Sequence, residues 1–323
     1  MSARLFPIPF VALLLTGCLR EELPVDPSPR GEAMQLQVCM GPGYQDQLWI
    51  DLGTGTVVAT NPKGAWDLAF DSKPDGWHIW LNGSKLMTAW NIGAVDITQP
   101  ADTAGMHDAR RIDAPSGHPD STAFGNAWGS GDVFVVDLGF SAFGLPLGLR
   151  KVRPDAVDAD ACTFTVANLD GSNVRQVVVP KDPTCGHTYF TFTNDAVVAI
   201  EPPLGTWDIV LTQYTHQFYV PYLPYIVSGV LTDPRHTRVA RLPSADFDQV
   251  VLGDTLYHPF EPWRNTIGYD WKDYDFDIGA YTVFPQQVYL IEDTDGRHFK
   301  LHFLDFYGAG GQVGCPSFAV EEL

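Results

Sequence analysis

Apolar and polar residues alternate at short range along most of this chain and nowhere hold a helical period over four turns. The densest stretch runs from Gly205 to Leu231, GTWDIVLTQYTHQFYVPYLPYIVSGVL, where β-branched and aromatic residues suit a pleated, half-buried surface. It has a partner in the same chain. Sliding the sequence by 141 positions lays Leu48–Phe70 over Tyr189–Leu211 without a gap. Val57 falls on Val198, Pro62 on Pro203, Gly64 on Gly205, and Trp66-Asp67 on Trp207-Asp208. The match reads as one β unit used twice. Trp66 and Trp207 recur with the unit, so both are expected to be structural core residues.

Further strands follow from the same pattern. Leu48–Leu52 and Thr56–Thr60 form a hairpin around Gly53-Thr54-Gly55, with strands at Trp66–Phe70, Trp77–Leu81 and Leu86–Ile92. Gln99–Gly131 is poor in periodicity and reads as a long loop. Asp132–Leu138 and Leu147–Val152 return to strand, and a hairpin turns at Asp170-Gly171. The second unit supplies His187–Thr193, Ala196–Glu201, Trp207–Tyr219 and Tyr225–Leu231. Asp246–Leu252 reads as a weaker strand, and Gln287–Glu292 with Arg297–Phe306 brackets a turn at Asp295-Gly296. The expected fold is all-β: two related antiparallel modules, residues 39–182 and 183–323, with few or no helices.

Composition narrows the function. Hydrophobic residues at 45% and charged residues at 18% describe a globular chain, and 30 Gly with 25 Pro fit many turns. A net charge of −19 argues against nucleic acid, which needs a cationic footprint. At the start, Arg4 precedes an apolar run from Leu5 to Leu15, too short to span a bilayer, and then Leu15-Thr16-Gly17-Cys18. Small residues before a cysteine resemble a bacterial lipobox. The expectation is a lipoprotein signal peptide over residues 1–17, lipidation of Cys18, and a polar tether over 18–38. The following Leu19–Leu23, with its cation and two acids, points to an outer-membrane, cell-surface location through the lipid anchor. Four cysteines remain, with three possible connectivities. Cys162 and Cys185 flank a hairpin and are the expected pair, leaving Cys39 with Cys315.

The ordered pieces Trp207-Asp208, Ser228–Leu231, Ile267–Lys272, Val288–Ile291, Asp295–Phe303 and Asp305–Gly314 resemble the HmuY family of all-β surface lipoproteins. The resemblance implies haem binding in iron acquisition, with an outer-membrane transporter as a partner. The family's best-known member uses two histidines, one shortly after the tryptophan aligned with Trp271. Here that stretch reads WKDYDFDIGAY and has no histidine, while His258 lies near the other ligand segment.

Haem iron takes an axial His, Met, Tyr or Cys in a flat apolar pocket. His216 is a candidate, because residues two apart on a strand share a face and Tyr214, His216 and Phe218 line up together. A core histidine bonded to a neighbour is the plainer alternative. Tyr214 and His258 complete the candidate set. Nothing marks an enzyme: Gly139–Gly144 misses the Gly-x-Ser-x-Gly elbow, and there is no His-Glu-x-x-His or phosphate-binding glycine loop. No catalytic or structural metal site is expected. The second reading is a surface module that binds protein, glycan or another small ligand without haem.

Overall fold

Runs of unbroken apolar residues such as Ile209–Leu211 are too hydrophobic for a sheet with one wet face. They form strands buried on both sides. The computed structural model describes residues 32–323, which belong to one compact unit. The lipobox, Cys18 and most of the tether lie outside the described residues.

Twenty strands follow in order. The first ten are β1 (Met34–Gln37), β2 (Asp46–Asp51), β3 (Thr56–Pro62), β4 (Leu68–Asp71), β5 (Ile79–Leu81), β6 (Thr88–Ala94), β7 (Asp132–Asp137), β8 (Leu149–Val157), β9 (Ala161–Ala167) and β10 (Arg175–Pro180). Then come β11 (His187–Thr191), β12 (Ala196–Val198), β13 (Ile209–Tyr219), β14 (Tyr222–Thr232), β15 (Arg238–Leu242), β16 (Lys272–Asp275), β17 (Ala280–Val283), β18 (Val288–Glu292), β19 (His298–Tyr307) and β20 (Val313–Glu322). The fold is all-β, with short helical turns only among the described residues.

Four sheets stack as layers, in the order β10-β9-β8-β7-β6, then β12-β11-β4-β5, then β14-β13-β2-β3, then β1-β20-β19-β18-β15. Alternate residues of the two central sheets enter different cores. Leu68 and Phe70 of β4 face the first layer, while Ala69 between them faces the other central sheet. Ile209 and Leu211 of β13 face the last layer, and Val210 faces inward.

The pairing crosses the chain's two halves. The second unit's hairpin strand β11 pairs with β4 of the first, and the first unit's β2 pairs with β13 of the second. Residues 182 and 183 therefore do not separate two sets of sheets: each half lends a hairpin to the other's central layer. The equivalence of the units is close. Asp67 N donates to Phe190 O at 2.8 Å and Asp208 N to Ile50 O at 2.9 Å. These contacts match the hairpins at an offset of 140, one short of the gapless slide.

Three expectations are corrected. The tether does not extend to residue 38, because Met34–Gln37 pairs with β20. Asp246–Leu252 is not a strand but 3-10 turns at Phe247–Gln249 and Leu252–Leu256, the first capped by the Asp246 carboxylate accepting from Asp248 N. Cys162 and Cys185 are not bonded to each other; the disulfide joins Cys39 to Cys315. The β9–β10 register closes at Ala161 opposite Pro180, so Cys185 lies beyond the hairpin, where its thiol donates to Glu201 O. Cys162 sits in the first core, and burial pushes its thiol up to about 11.

Candidate functional site

The β13–β14 hairpin pairs eleven residues on each arm. Its base is buried on both faces, while its far end extends beyond the sheet: Tyr219, Val220 and Tyr222 are exposed at the tip. Between base and tip, His216 pairs across the ladder with Tyr225. The imidazole lies 4.8 Å from the ring of Tyr269 and 4.9 Å from that of Phe218. Phe218 in turn lies 6.3 Å from Tyr225. An aromatic strip thus leads from the exposed tip down to one histidine.

Among the described residues the His216 imidazole has no partner on Nδ1, which is buried. Burial lowers its pKa, only partly opposed by the Asp270 charge, so the ring is held neutral with a lone pair available. Tyr214, on the same strand face, lines the same pocket of about 360 Å³, together with Arg241, Trp263 and Tyr269. Burial raises the Tyr214 phenol far above its ordinary value and leaves its hydroxyl unpartnered, which makes it a poor anionic ligand beside His216. Arg241 pairs with Asp270 and lies over the Tyr289 ring at 5.9 Å, placing a guanidinium at the pocket's polar end. His258 follows the Leu252–Leu256 turn, its N–H bonded to Asp254 O, and does not line this pocket.

The Ile267–Lys272 motif builds the opposite wall. Trp271 is fully buried and stacks on Phe303 at 3.8 Å. The Lys272 ammonium donates to Ser228 O at 2.6 Å and Tyr269 O at 3.3 Å, tying the loop to β14. That tie sets Tyr269 against His216. Burial lowers the Lys272 pKa to about 7. Arg241, Trp263 and Tyr269 were not singled out as site residues from the sequence; only Tyr269 falls inside a recognised motif.

Trp66 and Trp207 lie elsewhere, at the two ends of a cleft between the central sheets. Trp207 meets Trp49 edge to face at 4.6 Å, and Trp66 meets Tyr189 at 4.9 Å with the same 79° between planes. The cleft has two chambers, about 90 Å³ at the Trp66 end and about 330 Å³ at the Trp207 end. Among the described residues no group of three or more His, Cys, Asp or Glu is placed to hold a metal ion.

The sequence profile described as "HmuY: HmuY protein" matches residues 43–319. No curated protein matches the chain. Among solved structures, apo PinO from Porphyromonas gingivitis is similar at 10% identity over 91% of this chain and 98% of that one, with a TM-score of 0.34. An apo HmuY analogue from Tannerella forsythia is similar at 14% identity over 50% and 88%, with a TM-score of 0.24. A putative HmuY-like haem-binding protein from Bacteroides vulgatus is similar at 14% identity over 41% and 82%, with a TM-score of 0.23. The profile covers most of the chain, and on that ground the chain belongs to the HmuY family.

Proposed function

We propose that this chain is a haem-binding surface lipoprotein, anchored in the outer membrane through a lipid on Cys18, that captures haem for delivery to an outer-membrane transporter. Family membership motivates the ligand, and one observation carries the site. His216 is a neutral imidazole without a partner on Nδ1 among the described residues, enclosed by Tyr269 and Phe218 beneath an exposed aromatic tip. A porphyrin has flat apolar faces, two carboxylates and an iron seeking an axial nitrogen. The strip supplies rings for the faces, Arg241 a cation for a carboxylate, and His216 the nitrogen. No second histidine lines the pocket, so the proposed ligation is through one histidine.

Haem titration followed in the Soret region tests this. Wild type should show a saturable shift at micromolar haem, and His216→Ala should weaken it by at least about tenfold. Because burial lowers the imidazole pKa, binding should persist as pH falls through the usual imidazole value of 6.5 and fade only below it. A spectroscopically silent wild type sinks the haem reading. An unchanged His216→Ala moves the ligand elsewhere.

A further inference from the structure

The duplication provides an internal comparison. At the Trp66 end of the cleft the acceptors nearest the tryptophans are neutral amides, with Asp113, His187 and Arg264 also lining that chamber. Gln47 Oε1 accepts from Trp66 Nε1 at 3.1 Å, Asn61 accepts from Trp49 Nε1 at 2.8 Å, and the Asn82 carbonyl accepts from Ser84 N at 3.0 Å. The strand registers place His187 at the point equivalent to Gln47 and Asp233 at that of Asn82, and Glu201 bonds His187 there. Tyr189 donates to Glu201 at 3.1 Å, and Asp233 accepts from Arg235 N at 3.0 Å. The Trp66 end encloses about 90 Å³, while the Trp207 end, lined by three carboxylates and three cations, encloses about 330 Å³, the lower end of the ~300–1,000 Å³ range for small-ligand pockets.

At the Trp207 end the carboxylate acceptors are spent and two donors are not. Asp71 accepts from His78 Nδ1 and Trp80 Nε1; Glu201 accepts from Gly186 N, His187 and Tyr189; Asp233 takes the Arg235 fork. Among the described residues Trp207 Nε1 has no partner, although its counterpart in Trp66 does. Arg264 Nε also lacks one, and its guanidinium forms no salt bridge among the described residues. Arg264 lines both chambers. It is held there deliberately: Arg264 N bonds Ser116 O, Arg264 O accepts from Thr232 N, and its stem crosses Gly117, where a Cβ would come within 2.6 Å of Cδ. A guanidinium drawn into a cleft without a direct ion-pair partner is poised to meet an anionic ligand there.

We propose that the inter-sheet cleft is a second ligand site, which binds a small organic carboxylate with an apolar body: Arg264 takes the carboxylate, and Trp49, Trp80 and Trp207 enclose the body. The Trp207 chamber carries three cations (Lys73, Arg235, Arg264) beside three carboxylates, with Asp113 in the adjoining chamber, so the attraction for an added anion rests on the Arg264 fork and not on net charge. A planar fork matched to a carboxylate explains an arginine at this position.

The test uses the full chain with benzoate and indole-3-acetate as probes, their amides as neutral isosteres, and inorganic phosphate as a bare anion. Binding is followed by saturation-transfer NMR and tryptophan fluorescence. At least one acid should bind saturably, its amide at least about tenfold more weakly, and Arg264→Gln should lose about tenfold or more in affinity. Phosphate should bind far more weakly than the acid, since it cannot fill the apolar walls. The proposal is overturned by neither acid saturating, by amide or phosphate matching the acid, or by a folded Arg264→Gln binding as wild type does. If Arg264→Gln fails to fold, the comparison of acid with amide on wild type decides. Haem need not bind for this test to succeed.

Discussion

Asp67 and Asp208 occupy equivalent positions, yet their surroundings differ enough to predict opposite behaviour. Asp67 pairs with the buried Lys85 ammonium and accepts from Thr191 Oγ1 and Phe192 N. Asp208 accepts from Leu52 N at 2.8 Å and has no ion-pair partner among the described residues. Burial raises the Asp208 pKa to about 6, with Asp293 and Asp51 adding repulsion. Replacing one member of a buried pair strands the other charge, so Asp67→Asn should cost about 3–5 kcal/mol. Asp208→Asn removes a charge that burial disfavours and keeps an acceptor, so its effect at pH 8 should stay within about 1 kcal/mol of neutral or be stabilising. The pH dependence has a definite sign. The folded state holds its proton up to about pH 6 and the unfolded state releases it near 3.8, so this group adds stability as pH falls from 6 toward 4. Asp113, also raised to about 6 by burial, acts in the same direction. Urea melts at pH 5 and pH 8 should show the wild-type gain at pH 5, reduced but not abolished in Asp208→Asn. The repeated Trp-Asp was legible in the sequence. Lys85, eighteen residues from its partner, was not, since no local pattern links a lysine in a 3-10 turn to an aspartate that precedes a strand.

Among elements, the tryptophan-led strands were the most legible because their apolar runs are buried on both faces and tolerate no other structure. What the pattern could not fix was register. A gapless slide set Leu48 against Tyr189, whereas the structure sets Trp49 there, and one residue of slip exchanges the two faces of a strand. The same limit hid the 3-10 turns at Phe247–Gln249, where Asp246 capping overrides a short apolar pattern. The two entry tryptophans should differ in cost. Trp207 is 7% exposed and packs edge to face on Trp49, so Trp207→Ala should destabilise by about 3–5 kcal/mol. Trp66 is only partly buried, so Trp66→Ala should cost less, even though it gives up the hydrogen bond to Gln47. Denaturant midpoints at constant slope check the order, and an equal or reversed pair would mean the two ends of the cleft are not packed as described.

For the molecule as a whole, the decisive feature is the exchange of hairpins between halves, and a repeat in the sequence does not reveal it. Two copies of a unit can pair within themselves or across, and both arrangements satisfy the same alternation of apolar residues. Here they pair across, so the last layer packs against β2, contributed by the first half. Leu48, Ile50 and Leu52 reach the core formed by Tyr289, Phe299 and Phe318. The Cys39–Cys315 bond and the β1–β20 pairing add two more ties between the chain's ends. A fragment of residues 183–323 therefore loses an entire central-layer hairpin, an edge strand and its disulfide, and leaves one edge of β13 open. Residues 32–182 lose β11 and with it Phe190 and Phe192 from the first core. Neither piece should give a cooperative melt alone, because each exposes a face built to be dry. Produced together, they should recover a single transition, since every missing contact is supplied by the other fragment. A sharp thermal transition in 183–323 by itself would show that the cross-pairing is dispensable, and the two halves would then have to be treated as independent modules.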